Sequence, residues 1–173
     1  QQNKRVDNPS LDLLKDRTFP GVSWDKEILA TGKNVVVIGG AGHVGLPFAI
    51  TLANSKKFAK VTGIDLDTTK CHILNGGQMI YEEVLGEDAL KEAVENNGLE
   101  FTADGNDEAL KAADVIAIMI GTPVDSENNP RLDDLFDYLD KKLLPAVYWR
   151  YASRKETLIL LRSTVSPGTT DRV

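Results

Sequence analysis

Short apolar runs and amphipathic stretches alternate along the chain from Asn34 onward. Five runs predict strands, at residues 35–38, 61–64, 99–102, 115–120 and 157–161, and the β-branched run at 35–38 is typical of a strand buried on both faces of a sheet. Helical patterns lie between or beside them, at residues 44–54, 67–75, 87–97, 107–113 and 132–143. The last of these carries an apolar face made of Leu132, Leu135, Phe136, Leu139 and Leu143. Strands that alternate with helices pair in parallel through right-handed crossovers, so the pattern predicts a doubly wound, mostly parallel α/β sheet.

Residues 1–32 differ from this pattern. They contain Pro9 and Pro20, several polar clusters, and one short apolar group at residues 11–14. Prolines and polar clusters interrupt regular structure, so we predict an irregular N-terminal extension with one short helix. The folded domain is then expected to comprise residues 33–173.

Composition narrows the possible functions. With 173 residues, of which 42% are hydrophobic, the chain is long and apolar enough for one folded domain and too short for two. The net charge of −6 argues against a nucleic acid as partner, because phosphate backbones are bound by an excess of Lys and Arg. No apolar run approaches the roughly 20 residues that span a bilayer, and no signal-like segment follows the polar N-terminus. We therefore expect a cytoplasmic protein without a membrane partner.

A glycine-rich loop directly follows the first predicted strand. Gly40, Gly42 and Gly45 have the spacing Gly-x-Gly-x-x-Gly and open a helix, which is the context in which this motif binds a dinucleotide. Gly40 permits a tight turn, Gly42 lets a pyrophosphate approach the backbone, and Gly45 packs the helix closely against the strand. Free N–H groups and the positive end of the helix dipole would then hold the phosphates.

The second predicted strand ends at Asp65, twenty residues after Gly45. A carboxylate at this place binds the ribose hydroxyls of the adenosine and repels a 2′-phosphate, so the pattern favours NAD over NADP. Two alternatives stay open. An S-adenosylmethionine site also combines a glycine-rich loop with an acidic residue after the second strand, although Val44 and Gly45 leading straight into a helix favour the dinucleotide. In the other alternative the loop is only a turn, and Asp65 is a helix cap.

Five segments, in this order, resemble the UDP-glucose/GDP-mannose dehydrogenase family from about Lys33 to Val173. They are GAGHVGLP at 40–47, GIDLD at 63–67, IYEEVL at 80–85, GTP at 121–123 followed by Asp133, and RSTVSPGTT at 162–170. Val84 stands where the family usually has glycine. The order and spacing of five segments are far more specific than the glycine loop alone.

The resemblance implies an NAD-binding domain of this family. It implies that the pyrophosphate lies against Gly40, Ala41, Gly42, His43, Val44 and Gly45. The adenosine ribose would lie at Asp65 with Lys70 nearby, and the adenosine near Thr102. The nicotinamide end would lie at Gly121, Thr122, Pro123, Ser163 and Thr164. Thr122 also matches a threonine that helps to orient the reacting groups or a catalytic water, so it is an auxiliary catalytic candidate.

Members of the family oxidise the C6 hydroxymethyl group of a nucleotide sugar to a carboxylate in two NAD⁺-dependent steps, using a cysteine nucleophile. The resemblance thus implies a UDP- or GDP-sugar substrate, with UDP-glucose or UDP-N-acetylmannosamine first, polysaccharide precursor synthesis, and a homodimeric complete protein. That cysteine lies beyond the Ser-Thr-Val segment, and this chain stops nine residues after Thr164, so we expect NAD(H) binding without turnover. Two rivals remain, namely a standalone NAD-binding regulatory module and a hydroxyacid or 6-phosphogluconate type of dehydrogenase.

Other reactive side chains have structural or solvent-exposed interpretations. Cys71 lies inside a predicted helix and is expected to be a buried structural thiol. Because it is the single cysteine, a disulfide framework is excluded. No spacing of His, Asp and Glu is typical of a metal site. The remaining polar candidates are expected on a helix surface, in a solvated loop, or in the first turn of a helix: His72, Asp125, Glu127, Asp133 and Asp134.

Overall fold

The computed structural model describes residues 32–82, 86–96, 98–103, 107–127 and 130–172. The predicted extension lies outside these residues except for Gly32, and so do residues 83–85 of the third matched segment. The strands are β1 Asn34–Ile38, β2 Lys60–Asp65, β3 Leu99–Ala103, β4 Val115–Ile118 and β5 Leu158–Leu161. The helices are α1 Gly45–Asn54, α2 Thr68–Asn75, α3 Gly86–Asn96, α4 Asp107–Ala112, α5 Asp133–Tyr138 and α6 Leu144–Ala152. No helix within the described ranges is long and apolar enough to cross a membrane.

The strands form one sheet in the order β3-β2-β1-β4-β5, and every neighbouring pair is parallel. The chain builds the sheet outward from β1 in one direction through β3 and then in the other through β5. The prediction of a doubly wound parallel sheet is therefore confirmed. Ligands of such sheets bind outside the carboxyl ends of the strands where the direction reverses, which here is between β1 and β4.

The core lies in two layers, one on each face of the sheet. Val35 and Val37 of β1 pack with buried residues of α1, α2 and α3. Val36 and Ile38 point to the other face and pack with buried residues of α4, α5 and α6. This alternation explains why β1 is an unbroken apolar run, since successive side chains enter different layers.

Two predicted boundaries were wrong by more than one residue. β4 ends at Ile118 rather than at residue 120, because the chain leaves the sheet after Met119 donates its N–H to the Ile38 carbonyl oxygen at 2.9 Å. The helix predicted to end at residue 143 continues through a π-helical turn, Leu139–Leu143, into α6. Pro145 at the start of α6 lacks the N–H that an uninterrupted α-helix requires, and the wider turn precedes it.

Candidate cofactor site

The loop between β1 and α1 lies directly on the end of β2. The N–H groups of Gly39 and Gly40 both donate to the Ile64 carbonyl oxygen, at 2.8 and 3.0 Å. Gly39 has a φ of +78°, so the tight turn predicted at Gly40 is made by Gly39. A Cβ on Gly40 would lie 2.5 Å from the Cα of Gly63, so Gly40 is required for close approach to β2. Gly63 was missed, although a glycine inside a strand is the usual signal of such an approach.

Gly42 and Gly45 have different roles in this loop. A Cβ on Gly45 would lie 2.1 Å from the Gly39 carbonyl oxygen, so only glycine allows α1 to begin this close to the loop. The predicted packing role of Gly45 agrees with this distance. A Cβ on Gly42 would meet only the same oxygen, at 3.2 Å. Packing within the protein therefore does not strictly require glycine at position 42. The missing side chain of Gly42 leaves space at the surface of the loop.

The first turn of α1 presents backbone donors to the site. Val44 is the N-cap residue and makes no side-chain capping bond. Within the described ranges, no acceptor is found for the backbone N–H groups of His43, Val44 and Gly45, whereas Leu46 donates to the Gly42 carbonyl oxygen at 2.9 Å. Unpaired donors at the positive end of a helix dipole are the usual binding site for phosphate groups.

Asp65 joins the end of β2 to the glycine loop. Its Oδ2 accepts a hydrogen bond from the N–H of Ala41 at 3.1 Å, and its Oδ1 accepts one from the N–H of Asp67 at 3.2 Å. Asp67, not Asp65, caps α2, because its side chain accepts from the N–H of Lys70. Each carboxylate oxygen can accept more than one hydrogen bond, so Asp65 retains capacity for ribose hydroxyls.

Tyr81 is a site residue whose role was not predicted from the sequence. Its hydroxyl donates to the Ala41 carbonyl oxygen at 2.8 Å, and its ring is stacked on His43 with the ring centroids 3.8 Å apart. The Nζ of Lys70 lies 6.0 Å from the centroid of the Tyr81 ring. Tyr81 therefore contacts the glycine loop at Ala41 and His43 and lies near Lys70, three residues that were predicted to bind the cofactor. Its only signal in the sequence was its place in the matched segment at 80–85.

A cleft of about 250 Å³ opens beside the loop at the carboxyl edge of the sheet. Its walls come from the ends of β1, β2 and β4 and from α5: Ile38, Gly39, Gly42, Ile64, Asp65, Leu66, Met119, Ile120, Gly121, Asp134 and Tyr138. Three predicted cofactor residues thus line it, namely Gly42, Asp65 and Gly121. Thr102 lies outside this lining; it is half-buried in β3, paired in register with Ile64.

Two hydroxyl groups connect the loops that follow β4 and β5. The Oγ1 of Thr122 donates to the Thr164 carbonyl oxygen, and the Oγ of Ser163 donates to that of Ile120, both at 2.7 Å. Nothing lies within 4 Å of a Cβ added to Gly121, so this loop is open beside the cleft. The structure thus brings together, at one edge of the sheet, the residues predicted for the nicotinamide end: Gly121, Thr122, Pro123, Ser163 and Thr164.

The structure shows how buried or exposed the side chains with structural or solvent-exposed interpretations are. Cys71 is 4% exposed, and burial, together with the nearby negative charges of Asp65 and Asp67, raises the pKa of its thiol. A protonated, buried thiol is a poor nucleophile. In the part of the chain that the structure describes, no group of three His, Cys, Asp or Glu residues could hold a metal ion. The others are exposed on α2, in the loop after β4 and in the first turn of α5: His72, Asp125, Glu127, Asp133 and Asp134.

Different features of the site suit the pyrophosphate, the ribose and the base of a dinucleotide. The donors at residues 43–45 suit a pyrophosphate, and Gly42 leaves room for it to approach. Asp65 suits the ribose, and the largely apolar cleft suits a planar base.

Comparison with known proteins decides which dinucleotide-binding family is present. Residues 33–173 match the model of the UDP-glucose/GDP-mannose dehydrogenase family, NAD binding domain. The chain belongs to this family. The resemblance and the NAD cofactor predicted from the sequence are thereby confirmed.

Three proteins illustrate the similarity. The UDP-glucose 6-dehydrogenase of Rickettsia conorii is 36% identical over 141 residues, which cover 81% of this chain and 30% of that protein. The structure of a UDP-glucose dehydrogenase from Pyrobaculum islandicum has a TM-score of 0.69 at 26% identity, covering 81% of this chain and 31% of that one. The UDP-N-acetyl-mannosamine dehydrogenase Cap5O from Staphylococcus aureus has a TM-score of 0.65 at 26% identity, covering 80% and 30%. This chain therefore spans less than a third of each relative.

Proposed function

We propose that this domain is the cofactor-binding half of a nucleotide-sugar 6-dehydrogenase, which oxidises the C6 hydroxymethyl group of a UDP- or GDP-linked sugar to a carboxylate. The family match over residues 33–173 carries the proposal. Relatives named as UDP-glucose, UDP-N-acetyl-mannosamine and GDP-mannose dehydrogenases support a nucleotide sugar as substrate and disfavour the hydroxyacid rival. The product would serve polysaccharide precursor synthesis, in the cytoplasm, with the complete protein a homodimer.

The residues of this chain hold and orient NAD, which accepts a hydride when bound. The N–H groups of His43, Val44 and Gly45 bind the pyrophosphate, and the Asp65 carboxylate accepts hydrogen bonds from the adenosine ribose hydroxyls. Lys70, whose Nζ lies 6.0 Å from the centroid of the Tyr81 ring, would lie near the same ribose. Because Asp65 is held in place by the loop amide of Ala41, it cannot easily move away from a 2′-phosphate, and NAD⁺ is preferred to NADP⁺.

The loops after β4 and β5 position the nicotinamide end. Gly121 has no side chain and leaves room under the nicotinamide ribose, while the bonds made by Thr122 and Ser163 keep the two loops together. The Thr122 hydroxyl donates a hydrogen bond to the Thr164 carbonyl oxygen, and its own oxygen can still accept a hydrogen bond from a catalytic water. In this proposal Thr122 is an auxiliary residue.

The nucleophile must come from another part of the protein. Cys71 is the only cysteine of the chain, and it lies on the buried side of α2, where burial raises the pKa of its thiol. Without the substrate-binding part, the interactions that stabilise the transition state are not assembled. We therefore expect this chain to bind NAD(H) and not to turn over a nucleotide sugar by itself.

Calorimetric titration of this chain with NAD⁺ and NADP⁺ tests the cofactor assignment. We expect NAD⁺ to bind at least about tenfold more tightly, because a phosphate placed beside a carboxylate costs more than about 1.4 kcal/mol near a protein surface. Asp65→Asn keeps an acceptor oxygen and removes the charge, so it should lose most of this preference. Asp140→Asn makes the same charge change at an exposed position outside the cleft and should retain it. Equal wild-type affinities for the two cofactors would contradict the assignment.

The sugar is tested with the complete protein that carries this domain. We expect two molecules of NADH for each molecule of UDP-glucose or UDP-N-acetylmannosamine oxidised, measured by NADH absorbance, because an alcohol becomes a carboxylate. GDP-mannose is the third substrate to compare. NADH formation with a hydroxyacid or with 6-phosphogluconate, and with none of the three nucleotide sugars, would overturn the proposal.

A further inference from the structure

A groove lies between α1 and the edge strand β5, on the same face of the sheet as α1, α2 and α3. Its volume is about 350 Å³, and we call it the β5 groove. Phe48 and Leu52 line it from α1, and Leu158 and Leu160 line it from β5. Lys33, which precedes β1, lines the end at the amino edge of the sheet. Among the described residues, the β5 groove shares no lining residue with the cofactor cleft, so it is a separate surface.

The register of the sheet places the strand residues of the groove in two rows. Val35, Val115 and Leu158 are paired across β1, β4 and β5, and Ala117 and Leu160 are paired two residues further along. Residues two apart in a strand share a face, so all five point to the α1 side. Exposure increases from the centre to the edge of the sheet, from 2% at Val35 to 56% at Leu158, with Leu160 at 36%.

Strand β5 is apolar on both faces, although the described residues cover mainly one of them. Ile159 and Leu161 pack with the core layer that contains residues of α5 and α6. Leu158 and Leu160 point to the other face and are exposed there. A parallel strand that is apolar throughout is typical of burial on both faces, and a continuous apolar surface of this kind is usually an interaction site. A further apolar segment is therefore required over this side of β5.

A suitable segment enters the domain at the groove itself. Residues 1–31 lead through Gly32 into Lys33, which lines the groove, and their part nearest to it contains Trp24, Ile28 and Leu29. Ile28 precedes Lys33 by five residues, a length of chain that spans up to about 17 Å. Strand β5 is two strand spacings from β1, or about 10 Å. Ile28 and its apolar neighbours can therefore reach β5.

We infer that residues 24–29 occupy the β5 groove, where Trp24, Ile28 and Leu29 pack on Leu158 and Leu160. The segment is continuous with β1, so its effective concentration at the groove is about millimolar, as for other short linkers. A separate chain at micromolar concentration would have to bind much more tightly to displace it. The N-terminal extension thus completes the core on the side of β5 that α1 does not reach, and this inference does not depend on the proposed function.

Fluorescence of Trp24 in the whole chain tests this contact. The chain has two tryptophans, so Trp149→Phe leaves Trp24 as the only one. We expect its emission to lie at shorter wavelength, and to be quenched less by acrylamide, than in the urea-unfolded chain, because apolar cover excludes water and quencher. Leu158→Glu should move both values toward those of the unfolded chain. Leu144→Glu is the matched control, at a leucine that is 60% exposed on α6 outside the groove, and it should change neither value.

Ile28→Glu makes the same change from the side of the segment and leaves the sheet unaltered, so it should expose Trp24 as Leu158→Glu does. Circular dichroism checks that each variant is folded. The inference is overturned if Trp24 in the parent chain is as exposed as in urea, or if Leu144→Glu exposes it equally. Exposure by Ile28→Glu but not by folded Leu158→Glu would place the segment elsewhere on the domain. Shielding that increases with protein concentration would assign the groove to a second copy of the chain and would also overturn the inference.

Discussion

Gly45→Ala is expected to destabilise the domain by about 3 kcal/mol or more, whereas Gly42→Ala is expected to leave it folded and unable to bind NAD⁺ tightly. The Cβ added at position 45 would lie 2.1 Å from the Gly39 carbonyl oxygen and 3.0 Å from the Cα of Gly40. Both are backbone atoms, so no side-chain rotation relieves the overlap. Helix α1 would have to move away from the loop, and its fully buried Leu46 would move with it.

The substitution at position 42 acts on the ligand instead. Its Cβ would approach only the Gly39 oxygen, at 3.2 Å, which a small adjustment relieves. The methyl group would then occupy the space through which the pyrophosphate reaches the loop amides. We expect NAD⁺ affinity to fall by about ten- to hundredfold, the equivalent of one charge-assisted hydrogen bond.

Urea unfolding and NAD⁺ titration of both variants separate these effects. Gly76→Ala is the matched control, because its Cβ would also lie 3.2 Å from one carbonyl oxygen, that of Ile73, outside the cleft. It should match Gly42→Ala in stability and the wild type in affinity. If Gly42→Ala binds NAD⁺ as well as the wild type, the pyrophosphate does not pass over Gly42.

The sheet could be predicted from the sequence because burial on both faces leaves a direct trace. Strands β1 and β4 read as unbroken apolar runs, since both of their faces enter the core. Helix α6 left no such trace. Pro145 is a typical sign that a helix ends, and its continuation through the π-helical turn depends on Leu139 and Leu143 packing against the sheet. That packing is a tertiary property which a local pattern does not contain.

The same distinction applies to the site. Gly42, Gly45 and Asp65 belong to a motif whose local spacing encodes its geometry, so the sequence was sufficient for them. Tyr81 contacts Ala41 across 40 residues of chain, and no local signal predicts that contact. Asp134 was correctly expected in the first turn of a helix, but its direction toward the cleft follows from how α5 lies on the sheet.

Arg150→Met is the second substitution with a large expected effect, and it acts on stability alone. Arg150 lies in the last turn of α6 and is only 2% exposed, which is unusual for arginine. Its Nε donates to Thr157 Oγ1, and its Nη1 donates to the carbonyl oxygen of Lys111 at 3.0 Å. Its Nη2 donates to Asp114 Oδ1 at 3.1 Å and to the carbonyl oxygen of Glu156 at 2.6 Å. Arg150 thus connects α6 to α4, to the start of β4 and to the start of β5.

Methionine at position 150 keeps a long apolar stem and removes every donor. The carbonyl oxygens of Lys111 and Glu156 and the Asp114 carboxylate would then lose their guanidinium partner, so we expect a loss of about 3–5 kcal/mol in the free energy of unfolding. Arg150→Lys keeps the charge without the planar fork and should lose less. Thermal and urea unfolding measure both variants.

The position of Arg150 makes this prediction specific. Asp114 precedes β4 and also accepts a hydrogen bond from the N–H of Asn34, where β1 begins, so the cluster lies at the amino edge of the sheet. The cofactor cleft lies at the carboxyl edge, and the NAD⁺ affinity of folded Arg150→Met should therefore stay within about twofold of the wild type. A stability loss below about 1 kcal/mol would mean that water replaces the guanidinium at Asp114, whose side chain is 31% exposed, and that the cluster behaves as a surface ion pair.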